Sequence, residues 1–131
     1  MIDYVVDASV LVGLFAVRSA PVELRQRVAT SSCAAPELID LEAANVLRKL
    51  VIRGELPDVE SGDALRDVRD APVLRVSHRH LIERAWELRQ NITCYDASYV
   101  ALAELLGRPL LTSDARLGRA SGHRAEVVVY S

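Results

Sequence analysis

The apolar positions along the chain predict short strands that alternate with helices. Short, mostly apolar runs bounded by polar residues are typical of buried strands. Five such runs occur, at Ile2–Val6, Ser32–Ala35, Val73–Val76, Leu110–Thr112 and Glu126–Tyr130. Between them, apolar residues recur with the spacing of amphipathic helices. The predicted helices are Ala8–Val17, Pro21–Ala29, Pro36–Arg53, Asp58–Asp70, His80–Gln90 and Thr93–Leu106, and a helical turn follows Asp114.

Two of these helices carry clear end signals. The Pro36–Arg53 segment begins with a proline and is followed by Gly54, as is common at helix ends. Its predicted apolar stripe comprises Leu38, Leu41, Leu47 and Leu50. The Thr93–Leu106 segment begins with a threonine suited to an N-cap and is followed by Gly107. The His80–Gln90 segment is predicted to turn inward Leu81, Ile82, Ala85, Trp86 and Leu88.

The alternation of strands and helices predicts an α/β fold in a single domain over residues 1–131. Strands joined through helices pair in parallel, and a central parallel sheet is covered by helices on both faces. In such sheets, ligands bind beyond the carboxyl ends of the strands. Asp7 follows the first predicted strand and Asp114 follows the fourth. We therefore expect both carboxylates at the ligand-binding edge of the sheet.

Four acidic residues stand inside otherwise apolar segments. They are Asp7 in YVVDASVLVGL, Glu42 in PELIDLEAANVL, Asp96 in TCYDASYVALAELLG and Asp114 in PLLTSDARL. An unpaired carboxylate is costly to bury, so a chain normally keeps its acids on wet faces. Clustered carboxylates also repel one another unless a cation lies among them. The pattern therefore predicts a shared site for a divalent metal ion held by oxygen ligands.

Each acid has a structural alternative that the sequence leaves open. Asp7 and Asp114 are well placed as helix N-caps, which accept hydrogen bonds from backbone N–H groups. Asp96 lies three residues after Thr93, the spacing of a capping box at a helix start. Glu42 is predicted in the middle of a helix, where it caps nothing, so its alternative is an internal ion pair with an arginine.

Weaker polar candidates surround these acids. Ser9 and Thr112 each lie two residues from an acid and are predicted either to orient a carboxylate or to bond the local backbone. Asn45 lies one helical turn from Glu42 and offers it a polar companion. Arg116 follows the last acid by two residues and is predicted either to contact a phosphate or to lie in solvent.

The histidine spacing and the absence of nucleotide-binding motifs argue against several other kinds of site. His78 and His80 stand at i and i+2, positions that do not share a helix face, so joint metal ligation is not expected. His123 lies in a glycine-containing loop and is expected in solvent. Neither a Walker A motif nor a dinucleotide-binding glycine motif occurs. No Ser, Cys or His has a clearly spaced partner for nucleophilic catalysis.

Composition narrows the picture further. Half of the residues are apolar, which is enough for a sizeable core without disulfides. Cys33 and Cys94 lack metal-type spacing and predict free thiols in a reducing compartment. Without a signal peptide or an apolar run long enough to cross a bilayer, a cytoplasmic protein with no membrane partner is expected. The net charge of −2 gives no basic footprint, although fifteen arginines accompany the single lysine, Lys49.

In their order along the chain, four motifs resemble those of the PIN-domain ribonucleases, and more closely the VapC-type toxins of bacterial toxin–antitoxin pairs. They are VVDASVLV, PELIDLEAANVLRKL, YDASYVALAELLG and PLLTSDARL, and the resemblance covers nearly the whole length. It implies a three-layer PIN-like fold and an endoribonuclease that depends on Mg²⁺ or Mn²⁺. The family's metal-binding acids carry over to Asp7, Glu42, Asp96 and Asp114, and its nearby polar positions to Ser9, Asn45 and Thr112.

The same resemblance implies partners. Members of the family form homodimers, cleave RNA and bind a small cognate antitoxin that blocks the active site. Some members carry a further acid two residues after the last one, where this chain has Arg116. The number of metal ions bound therefore stays open.

Three other functions are weighed against this one. A PIN-like module that binds RNA or protein without cutting would have the same fold, although the presence of all four acids argues against it. A phosphoacceptor signalling domain needs a lysine at a late strand end, whereas Lys49 is on the helix that carries Glu42. A DNA-directed nuclease would differ in contacts to the 2′-hydroxyl, which no sequence feature reports.

Overall fold

Five strands form a sheet at the centre of the molecule. The computed structural model describes residues 1–130. Its strands are β1 (Tyr4–Val6), β2 (Cys33–Pro36), β3 (Val73–Val76), β4 (Leu110–Thr112) and β5 (Val127–Val129). They lie in the order β3-β2-β1-β4-β5, and every neighbouring pair is parallel. The predicted parallel sheet is therefore confirmed, although the two outermost predicted strands along the chain are shorter than expected.

Helices cover both faces of this sheet. They are α1 (Ala8–Phe15), α2 (Val22–Val28), α3 (Ile39–Ile52), α4 (Asp58–Asp70), α5 (Ile82–Glu87), α6 (Cys94–Leu106) and α7 (Ala115–Arg119), and a 3₁₀ turn (His78–Leu81) precedes α5. Helices α1, α3 and α4 pack on one another, whereas α5 packs on α6, which lies against β1, β2 and β4. Right-handed crossovers place these two groups on opposite faces. The three-layer α/β architecture is confirmed.

The chain reverses its direction across the sheet between β1 and β4. It runs outward from β1 through β2 to β3 and then returns to β4 on the other side of β1. Val6 at the end of β1 pairs with Leu111 of β4. Crevices at such a reversal are the usual ligand sites of open parallel sheets. The residues that follow β1 and β4 therefore meet at one place.

The hydrophobic core includes buried side chains of the sheet and of both groups of helices, and one part of it lies between the sheet and α6. Val5, Leu110 and Leu111 are fully buried in the central strands. Helix α6 is buried on nearly every side from Ala97 to Ala103, as expected of a helix covered by both the sheet and α5. Each fully buried leucine stabilises the fold by about 1.5–3 kcal/mol relative to an exposed one. The two central strands and α6 are thus a rigid support for the residues at their ends.

Proline 36 was predicted to begin a helix, and this prediction is wrong. Pro36 is the last residue of β2 and pairs with Val76 of β3. The N–H of Glu37 donates to the Val76 carbonyl at 2.8 Å, so the strand ladder continues one residue past the proline. Helix α3 begins only at Ile39. Pro36 has no backbone N–H to donate to the neighbouring strand. The next residue, Glu37, donates its N–H to that strand instead.

Three apolar side chains predicted to face inward are exposed instead. Leu41 is 78% exposed, Trp86 60% and Ile82 56%. The buried stripe of the α5 region is Leu81, Ala85 and Leu88, which are 2%, 5% and 1% exposed. Because α5 has fewer than two turns, it presents one narrow face to α6 and leaves the neighbouring apolar side chains uncovered.

The predicted helix ends of α6 are confirmed. Thr93 is its N-cap, and the Thr93 hydroxyl accepts a hydrogen bond from the N–H of Asp96. Gly107 ends the helix in the left-handed conformation, with φ of 64°, which glycine adopts without steric cost. Within residues 1–130, no helix combines the length and the apolar character that crossing a bilayer requires.

Candidate active site

The first and last acids lie at the ends of neighbouring strands. Asp7 directly follows β1 and is the N-cap of α1, where its Oδ1 accepts the Val10 N–H at 3.1 Å. Asp114 follows β4 and is the N-cap of α7, where it accepts the Arg116 N–H at 2.9 Å. The capping alternative is therefore correct for both residues. It does not exclude a further role, because a cap uses only part of a carboxylate's acceptor capacity.

Two hydroxyl groups hold the carboxylate of Asp7. Ser9 Oγ donates to Oδ1 at 2.6 Å, and Thr112 Oγ1 donates to Oδ2. Thr112 is fully buried, and its Oγ1 also accepts the N–H of Asp114 at 3.0 Å. Burial raises the pKa of Asp7, and the hydroxyl hydrogen bonds oppose this shift. The hydroxyls of Ser9 and Thr112 thus orient Asp7 and connect it to the second strand end.

Glu42 was predicted in the middle of a helix, and this prediction is wrong. It lies in the first turn of α3. Its Oε1 accepts a hydrogen bond from the hydroxyl of Tyr99 at 2.6 Å. Burial raises the pKa of Glu42, and repulsion from Asp96 and Asp7 adds to that shift. The predicted alternative, an ion pair with an arginine, is not found among residues 1–130.

Tyr99 lies in the site but was not predicted from the sequence. This tyrosine is 1% exposed and lies one turn after Asp96 on α6. A buried tyrosine normally finds a hydrogen-bond partner for its hydroxyl. The i, i+3 spacing from a candidate acid, within an otherwise apolar helix, was the available signal.

Asp96 occupies the first turn of α6, as predicted. Burial raises its pKa first, and repulsion from Asp114 raises it further. Asp96 also raises the pKa values of Asp7 and Glu42. The four acids therefore act on one another electrostatically, even though they come from four separate segments of the chain.

Arg116 forms an ion pair with Asp114. Its Nη2 lies 3.0 Å from Oδ2 and its Nε lies 3.3 Å from Oδ1. This guanidinium holds the pKa of Asp114 below its ordinary value. The Arg116 side chain remains 81% exposed, so its outer surface is still open to a ligand. Among the four acids, Asp114 alone has an arginine partner within the described chain.

Three of the acids line one cleft of about 590 Å³. Its polar lining residues are Asp7, Ser9, Glu42, Asn45, Lys49, Tyr95, Asp96, Tyr99 and Arg116. Asp114 lines an adjacent depression that shares Asp96 and Arg116 with the cleft. Lys49 was overlooked as a site residue, although its spacing of seven from Glu42 places both on one face of α3. The cleft thus holds carboxylates together with two cationic side chains on its rim.

The histidines lie elsewhere. His78 is on the 3₁₀ turn, with Nδ1 3.5 Å from Glu37 Oε1. His123 was expected in solvent but is only partly exposed, and its Nδ1 accepts the Ala125 N–H at 3.1 Å. Cys33 is buried and Cys94 exposed, and both are free thiols.

The donor set of the cleft fits a hard divalent cation. Its acids offer carboxylate oxygens, which suit Mg²⁺ and Mn²⁺. Asp7, Glu42 and Asp96 have raised pKa values and form no ion pair with an arginine or lysine within residues 1–130, although the charge of Arg116 lowers the pKa of Asp96 in part. In that part of the chain, no group of three or more His, Cys, Asp or Glu side chains is arranged so that it could hold a metal ion. Mg²⁺ binds proteins through few carboxylates and keeps several waters, so the fit concerns the chemistry of the donors and not a preformed set of three ligands.

Comparison with known proteins places this chain in a family. A family model described as the PIN domain matches residues 4–122. Ribonuclease VapC1 of Mycobacterium tuberculosis is 39% identical over 133 residues, with 97% of each chain covered. The chain is therefore similar over its length to a protein named as a ribonuclease.

Two solved structures share its architecture. The structure of VapBC2 from Rickettsia felis, bound to a DNA fragment from their promoter, matches with a TM-score of 0.66 at 14% identity and covers 100% of both chains. A toxin-antitoxin complex from Klebsiella pneumoniae matches with a TM-score of 0.57 at 20% identity and covers 88% of this chain and 90% of the other. At such identities, these two structures establish the fold alone.

Proposed function

This chain belongs to the PIN-domain family, among the VapC ribonucleases, and from that premise we propose that it is a metal-dependent endoribonuclease. It hydrolyses RNA phosphodiester bonds and acts as the toxin of a VapBC-type toxin–antitoxin pair. Residues 1–131 function as one nuclease domain. The catalytic and metal-binding residues are Asp7, Glu42, Asp96 and Asp114.

One observation carries this proposal. Asp7, Glu42 and Asp96 line a single cleft, their pKa values are raised, and each raises that of at least one other group there. A protein that only needed these side chains for folding would gain stability by neutralising them internally. Carboxylates whose charges are left unbalanced in a cleft are typical of a functional site.

Each residue has a distinct task in this proposal. Asp7, Glu42, Asp96 and Asp114 hold the ion; the first three line the cleft, and Asp114 lines the neighbouring depression. Ser9 and Thr112 keep Asp7 in one orientation, and Asn45 lies in the cleft lining as a polar companion of Glu42. A bound Mg²⁺ or Mn²⁺ would supply charge stabilisation at the phosphoryl group and activation of the attacking water.

The cationic side chains contact the substrate backbone. Arg116 is exposed and Lys49 lines the cleft, so both are positioned to meet phosphate oxygens. An acidic cleft repels RNA, and cations on its rim reduce that repulsion. Arg116 is already fixed by Asp114, so little side-chain freedom is lost when it binds a phosphate.

The partners are proposed from the relatives. A cognate antitoxin is supported by the toxin-antitoxin complex of Klebsiella pneumoniae, which has this fold. A homodimer is supported by the exposed apolar side chains Leu41, Ile82 and Trp86, since exposed apolar groups often mark protein interfaces. The free thiols of Cys33 and Cys94 agree with a cytoplasmic location.

The direct test is cleavage of a pool of structured RNA by purified, antitoxin-free protein. The reactions contain Mg²⁺, Mn²⁺ or EDTA, and an Asp96→Asn variant runs beside the wild type. We expect discrete fragments with either metal, none with EDTA and none from the variant. A matched DNA pool separates a ribonuclease from a DNA-directed nuclease. Metal-dependent RNA binding without cleavage, from well-folded protein, would instead favour a non-catalytic binding module.

A further inference from the structure

The hydroxyl of Tyr99 joins two layers of the molecule at the candidate active site. Tyr99 is on α6, and its hydroxyl donates to Oε1 of Glu42 on α3 at 2.6 Å. The two helices lie on opposite faces of the sheet, so this bond passes over the carboxyl edge of the strands. The sequence separation of the two residues is 57. The bond therefore depends on the complete fold.

Core packing alone does not explain this hydroxyl. Tyr99 is 1% exposed and is among the largest fully buried side chains. A phenylalanine would fill the same space without a polar group to desolvate. Tyrosine contributes one thing that phenylalanine cannot, a hydrogen-bond donor. That donor is directed at an acid of the cleft.

The bond restricts an otherwise flexible carboxylate. Glutamate has several rotatable bonds, and fixing such a side chain costs conformational entropy. One carboxylate oxygen of Glu42, Oε1, accepts the hydrogen bond from Tyr99. Among residues 1–130, Oε2 has no hydrogen-bond or ion-pair partner, and it is not among the fully buried side-chain atoms. The tyrosine thus leaves one oxygen of Glu42 for a ligand.

The same helix fixes the position of a second acid. Asp96 and Tyr99 lie three residues apart on α6, a spacing that places them on the same face. The hydrogen bond from Tyr99 to Glu42 therefore fixes the position of the Glu42 carboxylate relative to Asp96, because Tyr99 and Asp96 share a buried helix. Asp7 is held in a similar manner by the hydroxyls of Ser9 and Thr112.

We propose that Tyr99 is a positioning residue for the metal site: its hydroxyl holds Oε1 of Glu42 and leaves Oε2 as the oxygen that binds the divalent ion. This inference rests on the proposed function, because it needs Glu42 to be a metal ligand. Hydrogen-bond partners of metal ligands commonly change metal affinity by 10–100-fold when they are removed. Tyr99 therefore acts on the ion only through Glu42.

The experiment measures Mn²⁺ affinity by titration calorimetry and by the electron paramagnetic resonance of free Mn²⁺. It compares wild type, Tyr99→Phe, Glu42→Gln and the double variant. Tyr130→Phe is the matched control, since it removes a tyrosine hydroxyl that accepts a hydrogen bond from Arg27, outside the cleft lining. We expect about tenfold weaker binding for Tyr99→Phe and unchanged binding for Tyr130→Phe. The double variant should bind as weakly as Glu42→Gln alone.

The outcomes separate the positioning role of Tyr99 from the proposed metal site itself. If Glu42→Gln weakens Mn²⁺ binding but Tyr99→Phe stays within twofold of wild type, the role of Tyr99 is wrong and the metal site stands. If Glu42→Gln and Asp96→Asn both bind Mn²⁺ normally, the proposed metal site itself is wrong.

A purely structural effect of Tyr99→Phe is distinguished in two ways. Thermal unfolding in EDTA reports the stability of the metal-free variant. If Tyr99 served packing alone, the loss of Mn²⁺ affinity caused by Tyr99→Phe would add to the loss caused by Glu42→Gln. If Tyr99 acts through Glu42, Tyr99→Phe causes no further loss in the double variant. Cleavage by Tyr99→Phe should also recover at saturating Mn²⁺, which a damaged fold would not allow. Additive losses or failure to recover would overturn the proposal.

Discussion

The carboxylate of Glu104 and the acids of the cleft differ in what balances their charge. Glu104 has a side chain only 4% exposed, and both of its oxygens bind the guanidinium of Arg84, at 2.8 and 3.1 Å. The backbone N–H of Arg124 also donates to it at 2.7 Å. These partners hold the pKa of Glu104 below its ordinary value, with Arg84 as the largest cause.

The acids of the cleft have the opposite environment. Asp7 is 8% exposed, and its side-chain partners are the hydroxyls of Ser9 and Thr112. Hydroxyl donors orient a carboxylate without neutralising it, so burial raises its pKa. Burial by itself therefore does not identify a functional acid. Asp7, which is buried without a cation, marks a candidate ligand site, whereas Glu104, which is buried and paired with Arg84, serves the fold.

The largest expected effect contrasts one acid from each group. If Asp7 is a metal ligand as proposed, Asp7→Asn should lower RNA cleavage by about 100-fold or more. Its fold should persist, since asparagine also caps helices well. Glu104→Gln should instead keep the specific activity of folded protein and lose about 2 kcal/mol of unfolding free energy. Cleavage assays and urea unfolding of both variants measure this contrast. The reverse pattern would contradict the assignment of the two groups.

Metal addition gives the next largest effect. Mn²⁺ at 100 times its dissociation constant stabilises the folded state by about 2.7 kcal/mol, which corresponds to a rise in melting temperature of about 10 °C for a domain of this size. Wild type and Glu104→Gln should both gain this stability, while Asp96→Asn should gain little. Differential scanning calorimetry with Mn²⁺ and with EDTA tests it. Equal gains in all three proteins would place the ion elsewhere.

The two groups should also respond oppositely to pH in EDTA. The folded state binds a proton at Asp7 more strongly than the unfolded state does, because the pKa is raised. This contribution to stability is present at low pH and is lost as pH rises from near 4 to the raised pKa. The lowered pKa of Glu104 gives stability that is present above its ordinary pKa and lost as pH falls through the lowered one.

Urea unfolding across this pH range measures both trends. The stability of Asp7→Asn relative to wild type should increase as pH rises above about 4. The stability of Glu104→Gln relative to wild type should decrease as pH rises from below about 4. If both variants follow wild type at every pH, the charge environments of the two groups do not differ as described.

The smallest expected effect concerns Arg116, whose ion pair is exposed. Arg116→Gln should raise KM for RNA and leave kcat nearly unchanged. If Arg116 contacts one phosphate, the slope of log KM against log salt should fall by about 0.7 in magnitude. Arg108→Gln is a suitable control, because Arg108 precedes β4 at the opposite edge of the sheet. A change in kcat without a change in the salt slope would give Arg116 a role other than phosphate binding.

Local sequence signals predicted much of this structure. Thr93 and Gly107 mark the ends of α6, because capping and left-handed turns depend on residues adjacent in the chain. Asp7 and Asp114 lie at the sheet edge, because each directly follows a strand. The same local character explains the failure at Pro36, where a helix signal fell on the last residue of a strand.

The tertiary structure decided how side chains pair across the molecule. The contact of Glu42 with Tyr99 and that of Arg84 with Glu104 join residues from separate elements, and no periodicity encodes which acid meets which partner. Exposure of Ile82 and Trp86 depends on which face of α5 packs against α6. The sequence by itself determined the four acids, the strand–helix alternation and the edge where two of them lie. Packing alone determined which carboxylates keep an unbalanced charge, because that balance depends on neighbours brought together only by the folded chain.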